Sequence, residues 1–172
     1  MIYIFAGHHD KDPGAVANGQ KEADLTKELR QLIIRPFEDV TIDDDADTLS
    51  TLLKKIGKLH RTDYVMDIHF NSVTNPKATG TEVFITDNDN SVEREWAQQV
   101  VDTTANILGI NNRGIKTESQ AKRGRLGILH TGATTILWEV CFMSNPDDLA
   151  SYHANKEALA CAIANLTLNI CK

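Results

Sequence analysis

Two histidines and two glutamates occupy positions in this sequence where strands and helices could bring their side chains together. His8 and His69 lie at the ends of apolar, strand-like segments, Glu22 opens a helical segment, and Glu139 interrupts an apolar strand. Polar residues beyond the carboxyl ends of strands are the first candidates for a site in an open α/β sheet. Two imidazoles and a carboxylate are a ligand set that binds catalytic zinc and leaves a fourth position for water.

Each residue also has an alternative explanation. A histidine at a strand end often has a purely structural role, and Glu22 suits the positive end of a helix dipole. The separations along the chain are too long for a helical His-Glu-x-x-His site, so only the fold could gather these residues. Glu139 is harder to explain structurally, because an uncompensated carboxylate in a buried strand costs free energy. A nearby cation would compensate it.

Apolar periodicity predicts the elements that must position these side chains. We predict strands at 1–6, 39–42, 64–69, 81–85 and 136–140, and helices at 22–34, 49–60, 152–170 and after a cap at Asn90. Residues 109–127 are predicted as a loop region with short strands. Alternating strands and helices favour an α/β fold, with a mostly parallel twisted sheet and helices on both faces. A chain of 172 residues, 41% of them hydrophobic, suits a single domain.

Composition excludes several classes of partner. The formal net charge of −6 disfavours nucleic acid and anionic lipid. No apolar run approaches the length of a membrane span, so membrane insertion is not expected. Residues 1–6 read as a strand, so we expect no signal peptide. Three cysteines without Cys-x-x-Cys spacing favour reduced thiols and synthesis in the cytoplasm.

Four ordered motifs give a stronger signal than spacing. They read GHHDKDPGA at 7–15, GQKEADL at 19–25, DIHFNS at 67–72 and LWEVCFMSN at 137–145. The series resembles the zinc-dependent N-acetylmuramoyl-L-alanine amidases of the amidase-3 family, which include bacterial wall-remodelling enzymes and phage endolysins. The family pattern runs G-H-G-G-x-D-P-G-A, G-x-x-E-x-D-L, S-I-H-x-N and E-x-G-F-x-S-N. The resemblance covers nearly the whole chain and implies a fold similar to zinc exopeptidases and other phosphorylase/hydrolase-like proteins.

The resemblance also implies a reaction and its residues. The substrate would be peptidoglycan, cut at the amide bond between the lactyl group of N-acetylmuramic acid and L-alanine. The implied roles are one Zn²⁺ bound by His8, Glu22 and His69, catalysis by Glu139, and substrate contacts from Asn71 and Arg113. Zinc chemistry suits the reaction, because the metal lowers the pKa of bound water to about 7 and polarises a carbonyl. A carboxylate that is not a ligand must then transfer the proton, which fits Glu139.

The chain departs from the family pattern in several places. His9 and Asp10 replace paired glycines, and Cys141 replaces a glycine. The acidic run at 42–45 replaces an arginine-containing segment. A solvated acidic turn is predicted for Asp43, Asp44, Asp45 and Asp47. Cys161 is predicted to be a small core residue of the last helix. A further set, predicted as a solvated basic loop, consists of Lys122, Arg123 and Arg125.

We expect residues 1–172 to form a monomeric amidase catalytic domain without a separate wall-binding domain. The missing signal and the motifs favour an endolysin-like protein, which reaches the wall after holin-dependent release if it is phage-encoded. Two rival functions stay open. One is a zinc peptidase or carboxypeptidase of similar architecture, and the other is a wall-binding module that has lost catalysis.

Overall fold

A six-stranded sheet organises the computed structural model, which describes residues 1–88, 90–121 and 124–171. Lys122 and Arg123 of the expected basic loop lie outside these residues. The strands are β1 (Ile2–Ala6), β2 (Val16–Ala17), β3 (Gln20–Lys21), β4 (Thr41–Ile42), β5 (Tyr64–Asn71), β6 (Thr81–Ile85), β7 (Asn112–Thr117) and β8 (Thr134–Phe142). The helices are α1 (Glu22–Ile33), α2 (Leu49–Ile56), α3 (Ser91–Leu108) and α4 (Pro146–Ile170), with 3₁₀ turns at Glu118–Gln120 and Gly127–His130.

The strand order of the main sheet is β4-β1-β5-β8-β6-β7, and β2 pairs with β3 in a separate hairpin. Neighbouring strands are parallel except for β6 and β8, which run antiparallel. The single-domain α/β fold with a mostly parallel sheet is therefore confirmed. Central strand β8 is buried along its whole length, as expected for a strand covered on both faces.

The two faces of the sheet are covered unequally. On one face, α1, α3 and α4 pack over the larger core, which includes Ile68, Trp96 and Trp138. On the other face, α2 and the 3₁₀ turn at Gly127–His130 cover a smaller core that includes Phe5 and Leu137. The candidate site residues His69 and Glu139 project from the face with the thinner cover.

Several boundaries differ from the predictions for identifiable reasons. Helix α2 ends at Ile56, because Gly57 adopts a positive φ of 62° and breaks the helix. Helix α4 begins at Pro146 rather than at 152, because the Asn145 side chain caps its first turn and proline suits the first helical position. The hairpin of β2 and β3 lies in a segment for which the sequence predicts a loop.

Two side-chain predictions are wrong. Asp43 is 8% exposed rather than solvated, because it pairs at 2.5 Å with Arg30, a cation on the buried face of α1. Cys161 lies on the exposed side of α4 instead of in the core. All three thiols, by contrast, are free as expected, with Cys141 buried. Among the described residues, no helix is both long and apolar enough to cross a membrane.

Candidate metal centre and its clefts

Three predicted ligands come together at the carboxyl edge of the sheet. His8 follows β1, Glu22 begins α1, and His69 lies near the end of β5. One donor atom from each lies within 4.8 Å of the others, and in the described part of the chain this is the one cluster of its kind. His8 Nε2 lies 3.0 Å from Glu22 Oε2, and His69 Nδ1 lies 3.0 Å from Glu22 Oε1.

The donor set fits a zinc ion. Ligand atoms at about 2.0–2.2 Å from an ion in a tetrahedron stand roughly 3.3–3.6 Å apart. The separations in this cluster are comparable: 3.0 Å for each His–Glu pair and at most 4.8 Å among all three donors. Glu22 is 4% exposed, and its oxygens accept hydrogen bonds from the backbone amides of Ala15 and Phe70. These amides hold the carboxylate in place while it faces both imidazoles.

Electrostatics within the cluster indicate that it favours positive charge. Burial raises the pKa of Glu22, but hydrogen bonds and charge from His69 and His8 outweigh it and hold that pKa well below its usual range. Burial lowers the pKa of His69, yet Asp67, Glu22 and Glu139 raise it well above its usual value. The ionised Glu22 carboxylate, together with Asp67 and Glu139 near His69, supplies the negative field that a cation needs.

The fourth predicted residue, Glu139, lies beside the ligands. It is 1% exposed and pairs in register with His69 of the parallel neighbour β5 and with Glu82 of the antiparallel neighbour β6. Residues paired across a sheet project from the same face. Glu139 therefore stands in a row between His69 and Glu82, on the face with the thinner cover.

The two predicted substrate contacts converge on Glu82. Asn71 Nδ2 donates to Glu82 Oε1 at 2.7 Å, and Arg113 Nε donates to Glu82 Oε2 at 2.7 Å. Lys116 also bonds to Glu82, and the Arg113 guanidinium lies 4.9 Å from the centroid of the Phe142 ring. Burial raises the pKa of Glu82, but Lys116 and Arg113 outweigh it and lower that pKa. Glu82 is therefore ionised and fixes the positions of the Arg113 and Lys116 side chains.

Two open clefts flank the centre, each of about 390 Å³. We call the first the Arg113 cleft; its polar lining includes Asn71, Glu82, Arg113, Lys116 and Glu139. We call the second the His8 cleft; its lining includes His8, Asp12, Asp43, Asp67 and His69. Together they leave open space on both sides of the candidate centre.

Two aspartates to which the sequence analysis assigns no role also contact the histidines. Asp67 Oδ2 lies 3.2 Å from His69 Nε2, and Asp12 Oδ2 lies 3.1 Å from His8 Nδ1. The contact of Asp67 could have been predicted from the sequence, because Asp67 is two residues before His69 on a predicted strand and residues two apart on a strand share a face. Asp12 lies in an irregular segment, where no period indicates its neighbours.

Gly14 lets His8 and Glu22 approach each other. It has a φ of +64°, and a Cβ atom there would lie 2.5 Å from His8 Cδ2 and 2.7 Å from Glu22 Oε2. We expect Gly14→Ala to weaken Zn²⁺ affinity at least tenfold, because the methyl group displaces both ligands. Left-handed backbone strain adds roughly 1–2 kcal/mol of destabilisation. Chelator competition measures the affinity, and urea unfolding measures the stability.

Gly19→Ala is the matched control for this substitution. Gly19 has a φ of +76°, and no atom of the described residues lies within 4 Å of the place that a Cβ atom would take there. It should therefore lose similar stability and keep its Zn²⁺ affinity. If Gly14→Ala and Gly19→Ala bind Zn²⁺ with equal affinity, the argument that a methyl group at residue 14 displaces His8 and Glu22 is wrong.

The fold and the donor set together define an α/β protein with a candidate His-Glu-His metal centre. A family model described as N-acetylmuramoyl-L-alanine amidase matches residues 2–167. The chain belongs to this family, the amidase-3 family.

Sequence relatives agree with that membership. The chain is 28% identical to the endolysin of Bacillus phage SPP1, over 87% of its own length and 57% of the endolysin. It is 26% identical to the N-acetylmuramoyl-L-alanine amidase LytC of Bacillus subtilis, over 86% of its own length and 30% of LytC. The chain thus spans about half the length of the first of these relatives and less than a third of the second.

Solved structures share the fold. A candidate N-acetylmuramoyl-L-alanine amidase from Neisseria meningitidis has a TM-score of 0.80 at 28% identity, with 96% of this chain and 93% of that chain covered. The N-acetylmuramoyl-L-alanine amidase of Clostridium difficile 630 has a TM-score of 0.78 at 22% identity, with 98% and 94% covered. At the lower identity the likeness concerns the fold alone.

Proposed function

We propose that residues 1–172 form the catalytic domain of a zinc-dependent N-acetylmuramoyl-L-alanine amidase. The proposed reaction is hydrolysis of the amide bond between the lactyl group of N-acetylmuramic acid and L-alanine in peptidoglycan. The observation that carries the proposal is the convergence of His8, Glu22 and His69 beside the buried, in-register Glu139. Family membership and the relatives named above support the choice of substrate.

The proposed metal site uses the three clustered donors. His8, Glu22 and His69 would hold Zn²⁺, which when bound supplies Lewis acidity toward a water molecule and a carbonyl oxygen. The amides of Ala15 and Phe70 keep the Glu22 carboxylate oriented toward both rings. This support means that backbone groups position the Glu22 carboxylate before a metal binds.

Glu139 would carry the proton during the reaction. As a general base, its carboxylate takes a proton from the attacking water; as a general acid, it returns that proton to the nitrogen of the departing alanine. Its burial removes competing bulk water, which strengthens its interaction with reacting groups. The adjacent position of His69 in the sheet register puts Glu139 next to the proposed metal site.

Asn71 and Arg113 would bind the substrate from the Arg113 cleft. The Arg113 side chain remains 37% exposed while Glu82 fixes its Nε, so its other donors can meet a carboxylate of the stem peptide. Asn71 donates to the other oxygen of the same Glu82 carboxylate. The stem peptide would then lie on the Glu139 side of the centre.

Product analysis tests the proposed function against its rivals. Purified protein should release intact stem peptides that carry a new alanine amino terminus from sacculi, as measured by mass spectrometry. Fragments cut inside the peptide would favour the zinc peptidase, and binding without products would favour a wall-binding module. Release from the cytoplasm to the wall, holin dependence, the absence of a wall-binding domain and the monomeric state stay predictions.

Metal removal gives the second test of this proposal. Dialysis against a chelator should reduce the rate of hydrolysis at least a hundredfold, because without the metal no Lewis acid activates the water or polarises the carbonyl group. One equivalent of Zn²⁺ should restore it, as followed by the appearance of free alanine amino groups. Full activity in the metal-free protein, verified by elemental analysis, would contradict the metal role.

A further inference from the structure

Asp67 has a position that the proposed reaction does not explain. Its carboxylate is on β5, two residues before His69, and lies 7% exposed on the wall of the His8 cleft. Burying a carboxylate is costly unless it is hydrogen-bonded or paired. Here Oδ2 lies 3.2 Å from His69 Nε2, the ring nitrogen opposite to the one that faces Glu22.

The geometry of the His69 ring assigns different tasks to its two nitrogens. Nδ1 lies 3.0 Å from Glu22 Oε1 and belongs to the ligand cluster, while Nε2 points to Asp67. A proton on Nε2 that is donated to Asp67 leaves Nδ1 with its lone pair directed at the cluster. Second carboxylates of this kind fix the tautomer and orientation of a metal-binding histidine and increase its strength as a ligand.

Close packing against Gly7 also constrains the position of this ring. A Cβ atom at Gly7 would lie 2.4 Å from His69 Cε1, so the ring packs directly on the Gly7 backbone. In addition, Gly7 N donates to Ile68 O at 2.8 Å, which ties the end of β1 to β5 beside the ring. Gly7 therefore packs against the part of the His69 ring that carries Cε1, while Asp67 contacts Nε2.

We infer that Asp67 is a positioning residue that holds His69 with Nδ1 directed toward the metal and thereby tightens metal binding. The inference rests on the proposed function, since it requires a metal at the His8, Glu22 and His69 cluster. It concerns this chain in particular, because the motif that it resembles has serine at this position. Sequence motifs alone would assign residue 67 no role in the site.

Asp12 provides an internal comparison for the same kind of contact. It lies 3.1 Å from His8 Nδ1, but its side chain is 54% exposed, against 10% for Asp67. Solvent screens an exposed carboxylate and competes for its hydrogen bonds. We therefore expect Asp12 to contribute much less than Asp67, although both contact a proposed ligand.

The test replaces Asp67 with asparagine and with serine and measures Zn²⁺ binding directly. We expect affinity to fall about 10–100-fold in both variants, with faster loss of Zn²⁺ to excess chelator. The d–d absorption of the Co²⁺-substituted protein should also shift, because the field at His69 changes. Asp12→Asn should change affinity less than threefold. Asp102→Asn, on the exposed side of α3, serves as the control for net charge.

Two measurements separate the inference from the proposed function. Thermal unfolding of the metal-free variants reports whether they fold; a fold maintained alongside weakened Zn²⁺ binding supports the positioning role. Unchanged affinity and Co²⁺ spectrum in both Asp67 variants, together with lost binding in Glu22→Gln, would overturn the inference and leave the metal site intact. Unchanged binding in Glu22→Gln would instead overturn the proposed metal site.

Discussion

Glu139→Gln is expected to lower amide hydrolysis by about 10²–10⁴-fold, because general acid–base catalysis typically contributes that much. Glutamine has nearly the same shape but cannot accept a proton from water at neutral pH. Glu139 is not one of the three clustered donors, so Zn²⁺ content and binding to sacculi should remain. Initial rates on purified peptidoglycan, elemental analysis and a sedimentation assay for binding measure the three quantities.

Glu95→Gln is the matched control for this experiment. Glu95 is an exposed residue of α3, and its neutralisation should leave the hydrolysis rate within a factor of two. If Glu139→Gln also hydrolyses at the parent rate, the proton-transfer role is refuted. If it loses Zn²⁺ as well, Glu139 contributes to the metal site rather than to proton transfer alone.

Asp43→Ala is expected to destabilise the fold by about 3 kcal/mol, because it leaves Arg30 buried without its main counter-charge. Arg30 is 1% exposed; its Nη1 donates to Asp43 at 2.5 Å, and its Nη2 donates to Asp45 at 2.8 Å. Asp43 also accepts a hydrogen bond from the Ala6 amide at the end of β1. Urea unfolding measures the change, and Asp44→Ala at an exposed neighbour should lose less than about 0.5 kcal/mol.

The same ion pair need not stabilise the protein relative to an apolar pair. Burial raises the pKa of Asp43 although the Ala6 amide and Arg30 lower it, so desolvation is not fully repaid. An Arg30→Met/Asp43→Leu double variant should therefore lose less free energy of unfolding than Asp43→Ala alone. If Asp43→Ala lowers the free energy of unfolding by less than about 1 kcal/mol, then Asp45 or water compensates the charge of Arg30 sufficiently.

The main sheet and its helices were predictable because their patterns are local. Central strands β5 and β8 are mostly apolar, and α1 repeats buried leucines at Leu25, Leu29 and Leu32. The antiparallel direction of β6 has no such local signal, because a strand reads the same in both directions. The early start of α4 did have one, since Asn145 followed by Pro146 is a cap and a first-turn residue.

In the candidate site, too, some features could be predicted from local sequence patterns and others could not. The motifs predicted the cluster of His8, Glu22 and His69 and the residue beside it, Glu139. They did not reveal the contacts of Asp12 and Asp67 or the burial of Asp43, because these depend on long-range packing. The partner of Asp43, for example, lies on a different element, and only the fold shows that Arg30 is buried.

The unequal cover of the sheet has a mechanical consequence. Helix α2 has eight residues and only Leu52 fully buried, whereas α3 and α4 contact each other and support the opposite face. Elements with few buried apolar contacts open at lower free energy than the core. We therefore expect α2, which lines the His8 cleft, to open at lower free energy than the helices on the opposite face, so that this cleft can widen while the His8, Glu22 and His69 cluster keeps its geometry.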